Sequence, residues 1–130
     1  MNTVKRHVLD MRSDARGWVT NPIVAAPSGA PLGHVHIGSM APGAVRGNHV
    51  HPDAAEYVLV WGGEAEVTWE HPEGGLASEK VSGDQLVVFE IPPGVAHAVT
   101  NIGDREVYLI AYYFGSKEEE WPDTDRKELV

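Results

Sequence analysis

Residues 43–63 read G-A-V-R-G-N-H-V-H-P-D-A-A-E-Y-V-L-V-W-G-G, and this stretch decides how the chain is read. His49 and His51 stand two apart, so on a strand they project from one side. Pro52 and Asp53 mark a turn. Glu56 then opens a β-branched and aromatic run, Tyr57 to Trp61. Val58 and Val60 share its face, which puts a carboxylate at the head of a core-facing row. A second stretch, residues 91–101, reads I-P-P-G-V-A-H-A-V-T-N. It places His97 at the head of a row with Val99 and Asn101. Polar groups in such positions are costly to bury unless they are paired or bind metal. Three imidazoles and one carboxylate suit a divalent transition metal. Either histidine of the His49/His51 pair alone reads better as a surface or hydrogen-bonded residue than as a ligand; the four residues together read as a metal site.

Outward from this stretch, Leu32 to Met40 alternates: His34, His36 and Met40 share one face, Val35 and Ile37 the other. Gly62-Gly63 signals a hairpin, with Glu64 to Glu70 as the partner strand. His71 to Gly75 is a turn, Leu76 to Val81 a strand, and Ser82-Gly83-Asp84 a second turn. Gln85 to Ile91 is β-prone. Ala96 to Ile102 and Glu106 to Phe114 are two more strands, joined at Gly103-Asp104. A short strand is expected near Val8 to Met11, and the proline-rich residues 21–31 read as loop. Roughly eight strands at short spacing, without an amphipathic helix, predict an all-β antiparallel sandwich or barrel.

The organisation expected is an N-terminal strand and lead-in over 1–31, a barrel over 32–114 and a charged, solvated tail over 115–130, with Trp121 able to pin the tail. The strands Tyr57–Trp61 and Val107–Phe114 are apolar on both faces. Their outward set needs a cover, and a second subunit is the expected one, giving a homodimer.

The 130 residues suit one domain with a core of its own. With 10 basic against 19 acidic residues and a net charge of −9, the chain lacks the basic footprint that nucleic acid or anionic lipid requires. There is no cysteine, hence no thiol nucleophile and no disulfide frame. The N-terminus has no apolar segment of the signal-peptide kind, and no run approaches the roughly 20 residues that span a bilayer. The expected location is the cytoplasm.

Gly43, His49, His51, Glu56 and Gly63 match the first motif of the cupin superfamily, and Gly83, Pro92, Gly94, His97 and Asn101 match the second. The resemblance implies a double-stranded β-helix, or jelly-roll, barrel of eight or more antiparallel strands. It implies one metal held by His49, His51, Glu56 and His97, with zinc first and Fe, Mn, Ni, Co or Cu as alternatives. The run P-G-A-V-R-G-N-H-V-H, the segments V-S-G-D and I-P-P-G-V-A-H-A-V-T-N-I-G, and the closing W-P-D-T-D resemble the C-terminal zinc cupin domain of capsular-polysaccharide nucleotide-sugar epimerase–reductases. That resemblance implies epimerisation of a 4-keto sugar nucleotide. R-G-x-H, here Arg46 to His49, is also similar to metal-free rhamnose-pathway 3,5-epimerases, in which the histidine is the base. Ala54, Ala55 and Tyr57 flank Glu56 where the capsular domains carry lysines.

A metal on a ketone oxygen stabilises the enediolate formed when the adjacent C–H loses its proton. The base needs a pKa near neutrality. His36 is the first candidate and His34 the second; both also read as packed histidines. Arg46 could clamp a substrate anion or form a salt bridge at the rim. Of Tyr112 and Tyr113, on opposite faces, at most one lines the pocket. His7 and His71 read as surface residues, Trp61 and Trp69 as packing. The expected function is an epimerase or isomerase acting on a keto sugar or sugar nucleotide, a small carbohydrate-derived substrate. The alternatives are a dioxygenase using Fe, Ni or Cu at the same ligands, and a non-catalytic carbohydrate- or metabolite-binding barrel.

Overall fold

A computed structural model describes residues 3–26, 28–82, 85–115 and 121–130. Gly83 and Asp84, read above as part of a motif and a turn, lie outside the described residues, as do residues 116–120 of the tail. The described residues form twelve strands and no helix: β1 (Lys5–Val8), β2 (Arg12–Asp14), β3 (Gly17–Val19), β4 (Leu32–Met40), β5 (Val45–Val50), β6 (Glu56–Trp61), β7 (Ala65–Glu70), β8 (Leu76–Val81), β9 (Val87–Ile91), β10 (His97–Asn101), β11 (Val107–Phe114) and β12 (Asp125–Arg126).

Two five-stranded antiparallel sheets face each other, in the orders β1-β9-β6-β11-β4 and β12-β5-β10-β7-β8. From β4 to β11 the chain changes sheet at every connection except the β7–β8 hairpin, which makes a double-stranded β-helix, or jelly-roll, barrel. The strands that are apolar on both faces, β6 and β11, sit side by side inside the first sheet, where both faces can be covered. Met40, Val58, Val67, Phe89, Val99 and Val107 meet between the sheets, each at most 5% exposed. At the far edge β8 carries Glu79 and Lys80, charges that discourage edge-to-edge pairing.

Three expectations need correction. Gly62-Gly63 does not make a hairpin: β6 pairs with β9 and β11, and β7 with β8 and β10. Both edges of β6 are occupied, so β7 cannot fold back on it. The glycines instead let the chain cross closely over β11: a Cβ on Gly62 would lie 3.0 Å from Tyr108, and one on Gly63 3.0 Å from Val107. The first strand falls at Lys5–Val8, earlier than Val8 to Met11, because its partner β9 fixes it, and a small hairpin, β2–β3, follows. The end of the tail is not a solvated extension; β12 pairs with the open edge of β5 at His49 and Val50.

The outward apolar set of β6 and β11 is covered partly by the chain itself. Tyr57, Leu59 and Tyr112 pack with Leu9, Ile23 and Val24 of the N-terminal segment. The Tyr112 hydroxyl donates to the Pro22 carbonyl at 2.7 Å and accepts from the Val24 amide at 2.8 Å. Val35, Ile37 and Tyr108 remain exposed on this sheet face. Among the described residues no helix is long and apolar enough to cross a membrane.

Candidate metal centre

Strand β5 carries a bulge. Along its pairing with β10, Arg46 opposes Val99 and Gly47 opposes Ala98, but His49 opposes His97, so Asn48 has no counterpart. Gly47 (φ 91°) and Asn48 (φ 54°) both adopt the left-handed region that glycine and asparagine tolerate best. In a regular strand Arg46 and His49, three apart, would face opposite ways. The extra residue shifts the phase, and both line the same pocket. Gly47 is needed there for space as well, since a Cβ would meet the His97 carbonyl oxygen at 3.0 Å and the Ala98 Cα at 3.1 Å.

The four expected ligands come together: one donor atom from each of His49, His51, Glu56 and His97 lies within 4.8 Å of all the others. His51, Glu56 and His97 are buried and His49 partly so. Hydrogen bonds fix two tautomers. His97 Nδ1 lies 3.0 Å from the Val95 carbonyl, so that nitrogen carries the proton. His51 Nδ1 donates toward the Asp123 carbonyl at 3.2 Å and the Thr124 hydroxyl oxygen at 3.1 Å. Thr124 spends its own proton on the Pro122 carbonyl, at 2.8 Å.

Both imidazoles therefore aim Nε2 at one carboxylate: His51 at Glu56 Oε2, 2.9 Å, and His97 at Glu56 Oε1, 3.0 Å. With neutral rings these would be lone pairs facing lone pairs, so each contact requires a proton or a cation between its atoms. His49 Nε2 is 3.9 Å from Glu56 Oε2 and is buried without a hydrogen-bond partner. A proton does not answer for His49: burial outweighs the attraction of Glu56 and pulls its pKa down to about 4. A single divalent cation satisfies all three Nε2 atoms and the carboxylate together, so the residues fit a metal.

Without a metal, the pair most able to share charge is Glu56 with His97. Burial opposes ionisation of Glu56, but hydrogen bonds from His51 and His97 hold its carboxyl well below the usual range. Burial likewise opposes charge on His97, yet the hydrogen bond and charge of Glu56 raise its pKa.

Sequence reasoning left Tyr113 unassigned. Its phenol donates a short hydrogen bond to Glu56 Oε2 and lies 3.4 Å from His51 Nε2. Burial first, then the Glu56 charge, pushes its pKa up, so it remains a donor. The signal was present in the alternation of β11, which puts Tyr113 on the inward face with Leu109 and Ala111.

His49, Glu56 and His97 form one wall of a pocket of about 380 Å³; His36, Arg46 and Trp121 form others. Arg46 donates from Nε to the Ser39 carbonyl at 2.9 Å and is the one lysine or arginine among the described lining residues. His36 is half-buried, and its Nδ1 lies 3.1 Å from His34 Nε2. Burial lowers its pKa, with the Glu56 charge opposing. His34 is buried behind it and does not line the pocket. A bulge on β4, where Gly33 and His34 together oppose Tyr113, accompanies this placement. Trp121 stacks on His36 at 4.6 Å and 27° and tilts over His34 at 4.3 Å. His71 is exposed in its turn, and His7 is tied to Glu90 at 2.8 Å, both away from the pocket.

Residues 12–125 match the family model described as the polysaccharide biosynthesis C-terminal domain. A Pseudomonas aeruginosa UDP-2-acetamido-2,6-beta-L-arabino-hexul-4-ose reductase is 29% identical over 115 residues, which is 88% of this chain and 30% of that protein. The crystal structure of the capsular polysaccharide assembling protein CapF from Staphylococcus aureus aligns with 31% identity and a TM-score of 0.66, over 93% of this chain and 33% of that one. The chain thus spans about a third of the length of these two relatives. A dTDP sugar isomerase from Desulfovibrio desulfuricans G20 shares the fold, with a TM-score of 0.78 and 17% identity over 95% of this chain and 82% of its own.

Proposed function

Because the chain belongs to the polysaccharide biosynthesis C-terminal domain family, we propose that it is a metal-dependent epimerase or isomerase of cupin type, acting on a keto sugar or a sugar nucleotide. The observation that carries this reading is the convergence of three Nε2 atoms on one buried carboxylate at the wall of an open pocket. His49, His51, Glu56 and His97 would hold the ion, zinc being the first expectation. Bound there, a divalent ion supplies Lewis acidity to a substrate carbonyl and so acidifies the neighbouring C–H.

The remaining work falls to the chain. His36, kept neutral by burial, accepts the proton of that C–H on one ring nitrogen while the electron pair moves toward the carbonyl oxygen. His36 passes that proton to water; a proton delivered from water to the opposite face inverts the carbon, whereas delivery at the former carbonyl carbon, with loss of the neighbouring hydroxyl proton, isomerises the sugar. His34, hydrogen-bonded to His36, orients the base. Arg46 offers the remainder of its guanidinium to a substrate anion. The pocket of about 380 Å³ has room for a hexose ring, and the Pseudomonas relative's name carries a UDP-linked hexul-4-ose, a keto sugar.

In this reading the barrel of 32–114 is the working body, with the described residues of the N-terminal lead-in and residues 121–130 packed on it. A second copy covers Val35, Ile37 and Tyr108, and sedimentation at micromolar concentration should report a dimer; a monomer removes that element alone.

The test is solvent exchange. Zinc-loaded protein is incubated with 4-keto hexose nucleotides in D2O, and deuterium is sought at the carbons beside the carbonyl. Exchange that requires both zinc and His36 supports the reading. Oxygen uptake with an iron-loaded sample and no exchange would establish the dioxygenase alternative, and binding without exchange a non-catalytic barrel.

A further inference from the structure

The last residues of the chain run back along the strand that carries His49. Asp125 and Arg126 pair with Val50 and His49. The Lys127 amide donates to the Asn48 carbonyl at 2.7 Å. The Asn48 side chain, set in the bulge, closes around the chain end. Its Oδ1 accepts from the amides of Leu129 at 2.8 Å and Val130 at 3.3 Å, and its Nδ2 donates to the Val130 carbonyl at 3.1 Å. Lys127 adds an ion pair to Glu70 at 2.5 Å. A two-residue strand of exposed residues gains little from burial, and this cluster of bonds is what fixes it to β5.

Just ahead of β12, the same segment meets the metal site. The Asp123 carbonyl and the Thr124 hydroxyl oxygen both accept from His51 Nδ1. Thr124 has only acceptor capacity to offer there, because its proton is held by the Pro122 carbonyl. A ring that donates from Nδ1 presents a lone pair on Nε2, and the Nε2 of His51 faces Glu56.

We propose that the C-terminal strap of residues 121–130 is a working part of the metal centre, in which Thr124 Oγ1 and the Asp123 carbonyl are positioning groups that hold His51 as its Nδ1–H tautomer. This rests on the metal-centre reading above. Groups that orient a ligating histidine through its other nitrogen commonly contribute 10–100-fold in metal affinity. Two acceptors share the task here, so loss of one should give a value at the lower end. Coupling is reciprocal: whatever affinity the strap adds to the ion, the ion returns as stability of the strap.

The experiment is competition for zinc against a chromogenic chelator, on full-length wild type, Thr124→Val and Thr124→Ser. Valine keeps the shape and removes the acceptor; serine restores it. Thr124 is exposed on the strap, so neither change disturbs the core. Thr124→Val should bind zinc about tenfold more weakly, and Thr124→Ser within about threefold of wild type. Wild type that binds stoichiometric zinc, with Thr124→Val binding it equally, overturns the strap's role and leaves the metal centre standing. Wild type that takes up no zinc overturns the centre and the strap's role with it.

Discussion

Arg46 and His49 stand three residues apart on one strand and line the same pocket, because the bulge at Asn48 shifts the pleat by one residue between them. The bulge brings the guanidinium of Arg46 and the imidazole of His49 into one pocket. It also aims the Asn48 side chain at the end of the chain, so one inserted residue serves the pocket and the strap.

Gly47→Ala should therefore damage more than local geometry. The new methyl meets β10 main chain at 3.0 and 3.1 Å, and the φ of 91° disfavours any side chain. Left-handed strain with backbone contact of this kind costs on the order of 1–3 kcal/mol. Urea unfolding should show that loss in the metal-free protein. Zinc affinity should fall as well, since relief of the contact moves His49 away from His97. A variant with wild-type stability and wild-type zinc binding would show that the bulge imposes no such constraint.

Glu56→Gln removes the only anion among the four expected ligands while keeping nearly the same shape. It should weaken zinc binding by more than about tenfold, a loss of about 1.4 kcal/mol or more. Zinc at a hundred times its dissociation constant adds about 2.7 kcal/mol to wild-type stability by mass action. At that concentration the melting temperature of wild type should rise clearly and that of the variant much less. Equal zinc content and equal shifts would exclude Glu56 as a ligand.

The pH dependence of turnover should report His36. A general base works in its neutral form, and burial lowers the pKa of His36 below the ordinary 6.5. The acid limb of kcat/KM is thus expected below pH 6.5, with activity retained through neutrality. His36→Asn should lower kcat by about 10²–10⁴-fold while zinc content stays unchanged. An acid limb above pH 7, or a fully active His36→Asn, would assign the proton transfer elsewhere.

How much of this was legible in the sequence depends on the range of the interaction that decides each feature. The alternation of β4, β10 and β11 set the inward faces correctly, and the spacing from His49 to Glu56 with the distant His97 pointed to the four side chains that the structure gathers. Period-2 patterning also marked Tyr113 as a candidate for the inward face. It could not show that the phenol reaches Glu56, because that depends on how β11 and β6 pair across fifty-odd residues. Strand order was misread at Gly62-Gly63, where a local hairpin signal competes with long-range partners that already occupy both edges of β6. The bulge at Asn48 was hidden for the same reason. Gly-Asn signals positive φ, but only pairing with β10 shows that one residue lacks a counterpart. In the tail, charge argued for solvation, whereas backbone bonding to an open strand edge is nearly independent of side chains and left no pattern to read.

Trp121 lies 66% exposed and yet covers His36 with its ring face. An exposed indole held over the half-buried His36 screens that ring from water and leaves an aromatic surface for a sugar ring to meet. Trp121→Ala should keep zinc affinity within about threefold, because the bonds that hold His51 come from Asp123 and Thr124. It should also expose His36 to solvent. Burial is the largest cause of the lowered His36 pKa, so exposure favours the cationic form and raises it. The acid limb of kcat/KM should then move upward, toward pH 6.5, and KM should rise through loss of the stacking surface. A raised KM with an unmoved acid limb would make Trp121 a substrate contact alone. An upward shift of the limb would identify the indole as the cover that keeps His36 neutral.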